Sequence, residues 1–98
     1  MMSDTKVRVT IYWRPDCHLC HEADAAIRQS LCRHEIEIEL VNIEDDAILF
    51  EQYQFDIPVV LINGIKAFKH RVPPDEFCRK VRRLGRLGNK RLSRFPGV

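Results

Sequence analysis

A chain of 98 residues with 45% apolar and 31% charged side chains suits one small domain with a packed core, and it excludes disorder as the general condition. No apolar run approaches the roughly 18 residues of a membrane span, and the opening "MMSDTKVRV" lacks the long apolar segment of a secretory signal, so a cytoplasmic protein is expected. The net charge of +2 hides an asymmetry: from Arg79 onward there are eight Lys/Arg and no acid, while the 78 residues before it hold 8 basic and 14 acidic side chains, a net of −6.

After a tail of residues 1–6, "VRVTIYW" (7–13) alternates and is rich in β-branched and aromatic residues, which predicts a strand. Arg14-Pro15-Asp16 breaks it. From Cys17 the apolar period lengthens, with Leu19, Ala23, Ala26, Ile27 and Leu31 on one face of a predicted helix that runs out near Arg33-His34. "EIEIELVNI" (35–43) alternates again, and its glutamates suit the edge of a sheet. Residues 45–54 open with two acids, the signature of a helix N-terminus.

"IPVVLI" (57–62) is continuously apolar and predicts a buried central strand, with Pro58 tolerable at its start. Asn63-Gly64 predicts a two-residue hairpin turn into the strand "IKAFKH". Pro74-Asp75-Glu76 starts a third helix that turns Phe77, Val81, Leu84 and Leu87 inward. Gly85 and Gly88 are expected to loosen its end, leaving residues 88–98 as a frayed basic tail and 7–87 as the domain. The tail is expected to be a solvated face, since no nucleic-acid-binding motif accompanies its charge.

The order βαβ, α, β-hairpin, α predicts an α/β fold. A right-handed βαβ unit makes the first two strands parallel, and the tight turn makes the last two antiparallel. The result is a four-stranded mixed sheet flanked by three helices. It places Cys17 at the top of a strand, at the positive end of a helix.

A strand, a C-x-x-C at a helix start and a later Ile-Pro at a strand start resemble the thioredoxin superfamily, and the small size resembles glutaredoxin. "RPDCHLC" is similar to the glutaredoxin pattern of a basic residue, two spacers and C-x-x-C. "DIPVVLING" is similar to the segment that holds the superfamily's cis-proline. The resemblance covers roughly residues 7–84 and is nearest to small glutaredoxin-like proteins with a Cys-His-Leu-Cys centre. It implies the thioredoxin fold, a Cys17/Cys20 dithiol–disulfide centre, and a cis-Pro58 whose loop faces the cysteines, with the backbone at Ile57 pairing with an extended substrate.

A thiolate, not a thiol, attacks a disulfide, and a free cysteine with a pKa near ~8.5 is mostly inert at neutral pH. The unpaired N–H groups and partial positive charge of a helix start favour the thiolate at Cys17. Arg14 is expected to add positive charge, and a charged His18 between the cysteines to do the same. Cys17 is then the nucleophile and Cys20, one turn later, resolves the mixed disulfide. His21 is expected to be a plain surface residue and Trp13 core packing. Cys32 and Cys78 are expected to be buried small hydrophobes rather than part of a disulfide framework.

The expected activity is thiol–disulfide exchange on disulfide-containing proteins by a monomer with no bound cofactor, using glutathione or a thioredoxin-type reductant as electron donor. Glutathione itself is a further partner, but glutaredoxins carry a Gly-Gly pair after the hairpin where glutathione docks, and this chain reads "AFKHRVPPDEF" there. Its place is taken by Lys69, His70 and Arg71, which predicts poor glutathione recognition. Two other classes stay open: a thioredoxin-fold adaptor without turnover, and a zinc or iron–sulfur carrier, for which a second cysteine pair of the usual spacing is missing.

Overall fold

The computed structural model describes residues 6–94, and side-chain surroundings as far as Gly85. Strand β1 (Val7–Trp13) runs through the middle of a four-stranded sheet. Strand β2 (Ile36–Asn42) pairs with it in parallel, with Val7 opposite Ile36 and Trp13 opposite Asn42. On the other side, β3 (Val59–Ile62) pairs antiparallel to β1, and β4 (Ile65–Lys69) antiparallel to β3. The spatial order is β2-β1-β3-β4, so the glutamate-bearing strand lies at an edge and "VVLI" in the interior, as expected. Asn63 (φ 50°) and Gly64 (φ 84°) are both left-handed, the backbone of a two-residue turn whose twist matches its strands.

Helices α1 (His18–Arg28), α2 (Ala47–Tyr53) and α3 (Pro74–Arg94) cover the sheet. The larger core joins Val9 and Ile11 of β1, Val60 and Ile62 of β3, Ile27 of α1, and Phe77 and Val81 of α3. Each of these buried side chains contributes roughly 1.5–3 kcal/mol relative to exposure. A second, smaller cluster gathers Cys20, Ile43 and Ile57, with Tyr12, Leu49, Phe50 and Tyr53 packed on it. Asp46 caps α2, its carboxylate accepting from the amides of Ile48 and Leu49 (2.9 and 3.2 Å).

Several elements differ from the expectation. Helix α1 stops at Arg28, because the Ser30 amide and hydroxyl both donate to the Ile27 carbonyl (3.2 and 2.8 Å) and turn the chain away. Leu31, placed on the apolar face by periodicity, is 93% exposed, and Cys32 takes the buried place instead. Strand β3 begins at Val59, with Pro58 just before its ladder.

Helix α3 continues through Gly88 to Arg94. Gly85 does not loosen it: a Cβ there would lie 2.6 Å from a Val7 methyl, so the glycine is the point where α3 closes on β1. The Asn63 side-chain amide adds a hydrogen bond to the Gly85 carbonyl (3.2 Å). The Leu87 side chain lies outside the described residues, as does the N-terminal tail apart from Lys6.

The remaining cysteines also differ from the expectation. Cys32 and Cys78 are joined by a disulfide, with Cα atoms 5.7 Å apart and a sequence separation of 46. A fully buried and a half-buried small residue on neighbouring elements read as packing until the fold brings their Cβ atoms together.

Candidate active site

Where β1 ends, Arg14-Pro15-Asp16 turns the chain, and the Cys17 amide donates back to the Arg14 carbonyl (3.2 Å). Cys17 is then extended (φ −98°, ψ 109°) and forms the cap of α1. Its carbonyl accepts the first helical hydrogen bond, from His21 (3.2 Å), and its sulfur accepts from the Cys20 amide at 3.1 Å. The sulfur thus holds the position usually taken by a serine or aspartate oxygen at a helix start. Cys17 and Cys20 are bonded as a disulfide, their Cα atoms 5.2 Å apart. Cys20 is fully buried and Cys17 half-buried, so only the first sulfur is open to attack from outside.

The charges expected to help Cys17 are engaged elsewhere. Arg14 Nε reaches Glu44 (3.1 Å) and Asp16 (3.5 Å), and its guanidinium lies 5.5 Å from the Phe50 ring centre. His18 is exposed and pairs with Glu22 across one helical turn (2.8 Å), as side chains four apart on a helix do. The backbone amide of Cys20 is therefore the donor that the structure sets on the Cys17 sulfur. His21 is exposed but held: its Nε2–H donates to the Pro15 carbonyl (2.6 Å), and its ring meets Trp13 edge-on at 5.2 Å. Trp13 packs on both apolar clusters, bracing the turn from behind.

Ile57 and Pro58 are brought to the same place. Their peptide bond is cis, Pro58 is buried, and Ile57 shares the small cluster with Cys20 while Cys17 packs against it. The Ile57 amide donates to the Tyr53 carbonyl (3.2 Å). His70 holds this loop: its amide donates to the Pro58 carbonyl (2.8 Å), and its Nε2–H to the Phe55 carbonyl (3.1 Å). His70 has φ 72°, in the left-handed region that favours glycine. The hydrogen bonds on both sides hold a histidine in that conformation, which no periodicity in the sequence signals. Beside the motif, a groove of about 360 Å³ runs between Leu19, Glu22 and Ala23 of α1 and Arg71, Val72 and Pro73 of the loop before α3.

The four-stranded mixed sheet, the three helices and a cysteine pair at the cap of the first helix define the thioredoxin fold. Thioredoxins from Malassezia sympodialis (14% identity, TM-score 0.57, covering 83% of this chain and 76% of that one) and Fasciola hepatica (14%, 0.54, 81% of each) share it. The glutaredoxin-like domain model (DUF836) matches residues 8–82, and the chain belongs to that family. A glutaredoxin-like protein of Dictyostelium discoideum is 28% identical over 76 residues, covering 71% of this chain and 70% of that protein. The solution structure of protein Ne2328 from Nitrosomonas europaea is 26% identical, with a TM-score of 0.61 over 71% of this chain and 85% of that one.

Proposed function

We propose that this protein is a thiol–disulfide oxidoreductase acting on disulfide-containing proteins through Cys17 and Cys20. The observation that carries this reading is the cap itself: a half-exposed Cys17 sulfur that accepts a backbone N–H, bonded to a buried Cys20 one turn away. A donor in that position stabilises negative charge on sulfur, the form that attacks.

In the reduced protein the Cys17 thiolate attacks one sulfur of the substrate disulfide. A mixed disulfide forms, and the substrate's other sulfur leaves with the electron pair and takes up a proton. Cys20, deprotonated, then attacks the Cys17 sulfur, which closes the Cys17–Cys20 bridge and releases the second substrate thiol. Two electrons and two protons pass to the substrate. A thiol reductant, either two molecules of glutathione or a thioredoxin-type dithiol, resets the pair. The groove beside Leu19 and the backbone at Ile57 offer an extended substrate its footing. This reading has the chain working as a monomer in the cytoplasm without a bound cofactor.

The test is turnover of a protein disulfide by the purified chain, with dithiothreitol and then glutathione as reductant. Multiple turnovers that vanish in Cys17→Ser support the reading. Tight binding of the substrate with no turnover by either reductant sinks it and leaves an adaptor.

A further inference from the structure

The second pair of cysteines lies at the other end of α1, about 16 Å of helix away from the first at 1.5 Å per residue. Cys17 caps the start of that helix, whereas Cys32 follows its end. The two bridges therefore cannot exchange with each other directly. Their surroundings also differ. Cys32 is fully buried, while Cys78 is half-buried and lines a groove of about 640 Å³ together with Gln29, Ser30, Asp75, Arg79 and Arg82. Arg82 is engaged by Glu35 (2.8 Å). Among the described residues no carboxylate pairs with Arg79, so its charge is offered to whatever occupies the groove.

The buried sulfur has a partner ready for its reduced form. Ser30 Oγ donates its proton to the Ile27 carbonyl (2.8 Å), and its lone pairs lie 3.6 Å from Cys32 Sγ. An opened bridge leaves a Cys32 thiol that can donate to that oxygen, so reduction strands no buried polar group. Both redox forms are accommodated within one packing.

We propose that Cys32–Cys78 is a second thiol-exchange site, opened by a small anionic thiol that enters the Arg79 groove and attacks Cys78. The incoming thiol loses its proton, and its sulfur forms a bond to Cys78 Sγ. The Cys32–Cys78 bond breaks, the electron pair leaves on Cys32 Sγ, and that sulfur takes up a proton. A second small thiol then attacks the first one's sulfur, releasing a small disulfide and the Cys78 thiol. The balance is two thiols oxidised and one bridge reduced, and a small disulfide drives the reverse. Because the bridge ties the end of α1 to α3, the surrounding thiol-to-disulfide ratio decides whether those elements are cross-linked.

The probe is reduced glutathione, applied to the folded, oxidised chain carrying Cys17→Ser and Cys20→Ser, followed by acid quenching, alkylation and peptide mapping. That pair of substitutions removes the first centre, so the outcome is independent of its proposed activity. The same Cys78 peptide, mapped in the unsubstituted chain, serves if the variant folds poorly. The expected result is a glutathione adduct on Cys78 and an alkylated Cys32, with the far-ultraviolet circular dichroism of the folded chain retained. Arg79→Glu should slow capture of glutathione roughly two- to five-fold, the scale of an exposed charge contact, and speed capture of the cationic thiol cysteamine. An adduct on Cys32, or a bridge that opens only at denaturant concentrations that unfold the chain, overturns the proposal and leaves a structural cross-link. Equal effects of Arg79→Glu on both probes overturn the anionic specificity.

Discussion

The amide of Cys20 donates to the sulfur of Cys17 across 3.1 Å, so the residue that would resolve a mixed disulfide also supplies the donor that steadies the attacking sulfur. The two roles are set by one turn of helix. A helix-end interaction is worth ~0.3–1 kcal/mol when exposed and up to about 2 when partly buried. At neutral pH, alkylation of the reduced chain should therefore label Cys17 before Cys20, by on the order of tenfold once the burial of Cys20 is added. Cys20→Ser should accumulate a mixed disulfide with substrate, and Cys17→Ser should capture almost none. Labelling of Cys20 first, with substrate still trapped by Cys17→Ser, reverses the assignment.

Glutathione should be a poor substrate of the first centre. Where related folds offer a Gly-Gly pair, Lys69 reaches Asp56 (3.8 Å) and His70 is bonded to the Phe55 carbonyl, so both side chains occupy the loop. Loss of a recognition contact of this kind costs roughly tenfold or more in kcat/KM. Turnover of a glutathionylated peptide should fall below that of a protein disulfide by that margin, and saturable, equally efficient use of both would contradict it.

Gly85→Ala should destabilise the chain through the Val7 methyl that its Cβ would meet at 2.6 Å. Overpacking of this kind costs about 1–3 kcal/mol, against which the better helix propensity of alanine returns roughly 1 kcal/mol. A net loss below about 2 kcal/mol in urea unfolding is expected. Adding Val7→Ala should recover part of it, because the colliding methyls are then gone. A single variant more stable than the parent by the full propensity gain of roughly 1 kcal/mol means that β1 and α3 can separate at no cost.

The Cys32–Cys78 bridge closes a loop over a sequence separation of 46, whereas Cys17–Cys20 closes one of 3. By the loop-entropy argument the long bridge contributes about 3–4 kcal/mol to stability, and the short one much less. Excess reductant should lower the melting temperature of the parent chain and leave that of the Cys32→Ala/Cys78→Ala variant nearly unchanged. A reductant-induced shift that persists in the variant assigns the effect to Cys17–Cys20.

Glu35 and Arg82 give the stability a small acid dependence. The Arg82 guanidinium donates to the Glu35 carboxylate (2.8 Å), and this hydrogen bond is the main cause that holds the carboxyl below its usual range. A carboxyl depressed on folding contributes stability above its unfolded value, and loses it as the pH falls through the folded value. The parent should therefore exceed Glu35→Gln in stability near neutral pH, with the difference fading as the pH falls through the depressed folded value. Added salt should shrink the gap at the higher pH, since both side chains are exposed. A gap that grows on acidification gives the pair the opposite sign.

Local patterns carried most of the architecture. Strict alternation in β1 and β2, the unbroken apolar run of β3 and the Asn63-Gly64 turn each have a physical meaning within a few residues, and with the handedness of βαβ units they determine the sheet order. Cys17 at the head of a helix and the Ile57-Pro58 peptide were legible for the same reason, since each belongs to a short motif in a known element order.

What tertiary structure alone decided is where long side chains and separated positions meet. Arg14 could be placed near Cys17 by sequence distance, but its charge answers to Glu44, a partner chosen by the fold. Gly85 reads as a helix breaker until β1 is laid beneath it, and His70 reads as ordinary until two carbonyls hold its backbone left-handed. Cys32 and Cys78, 46 positions apart, pair because the end of α1 and the start of α3 pack on the same core. Side-chain reach and the geometry of a bridge depend on three-dimensional separation, which periodicity along the chain does not encode.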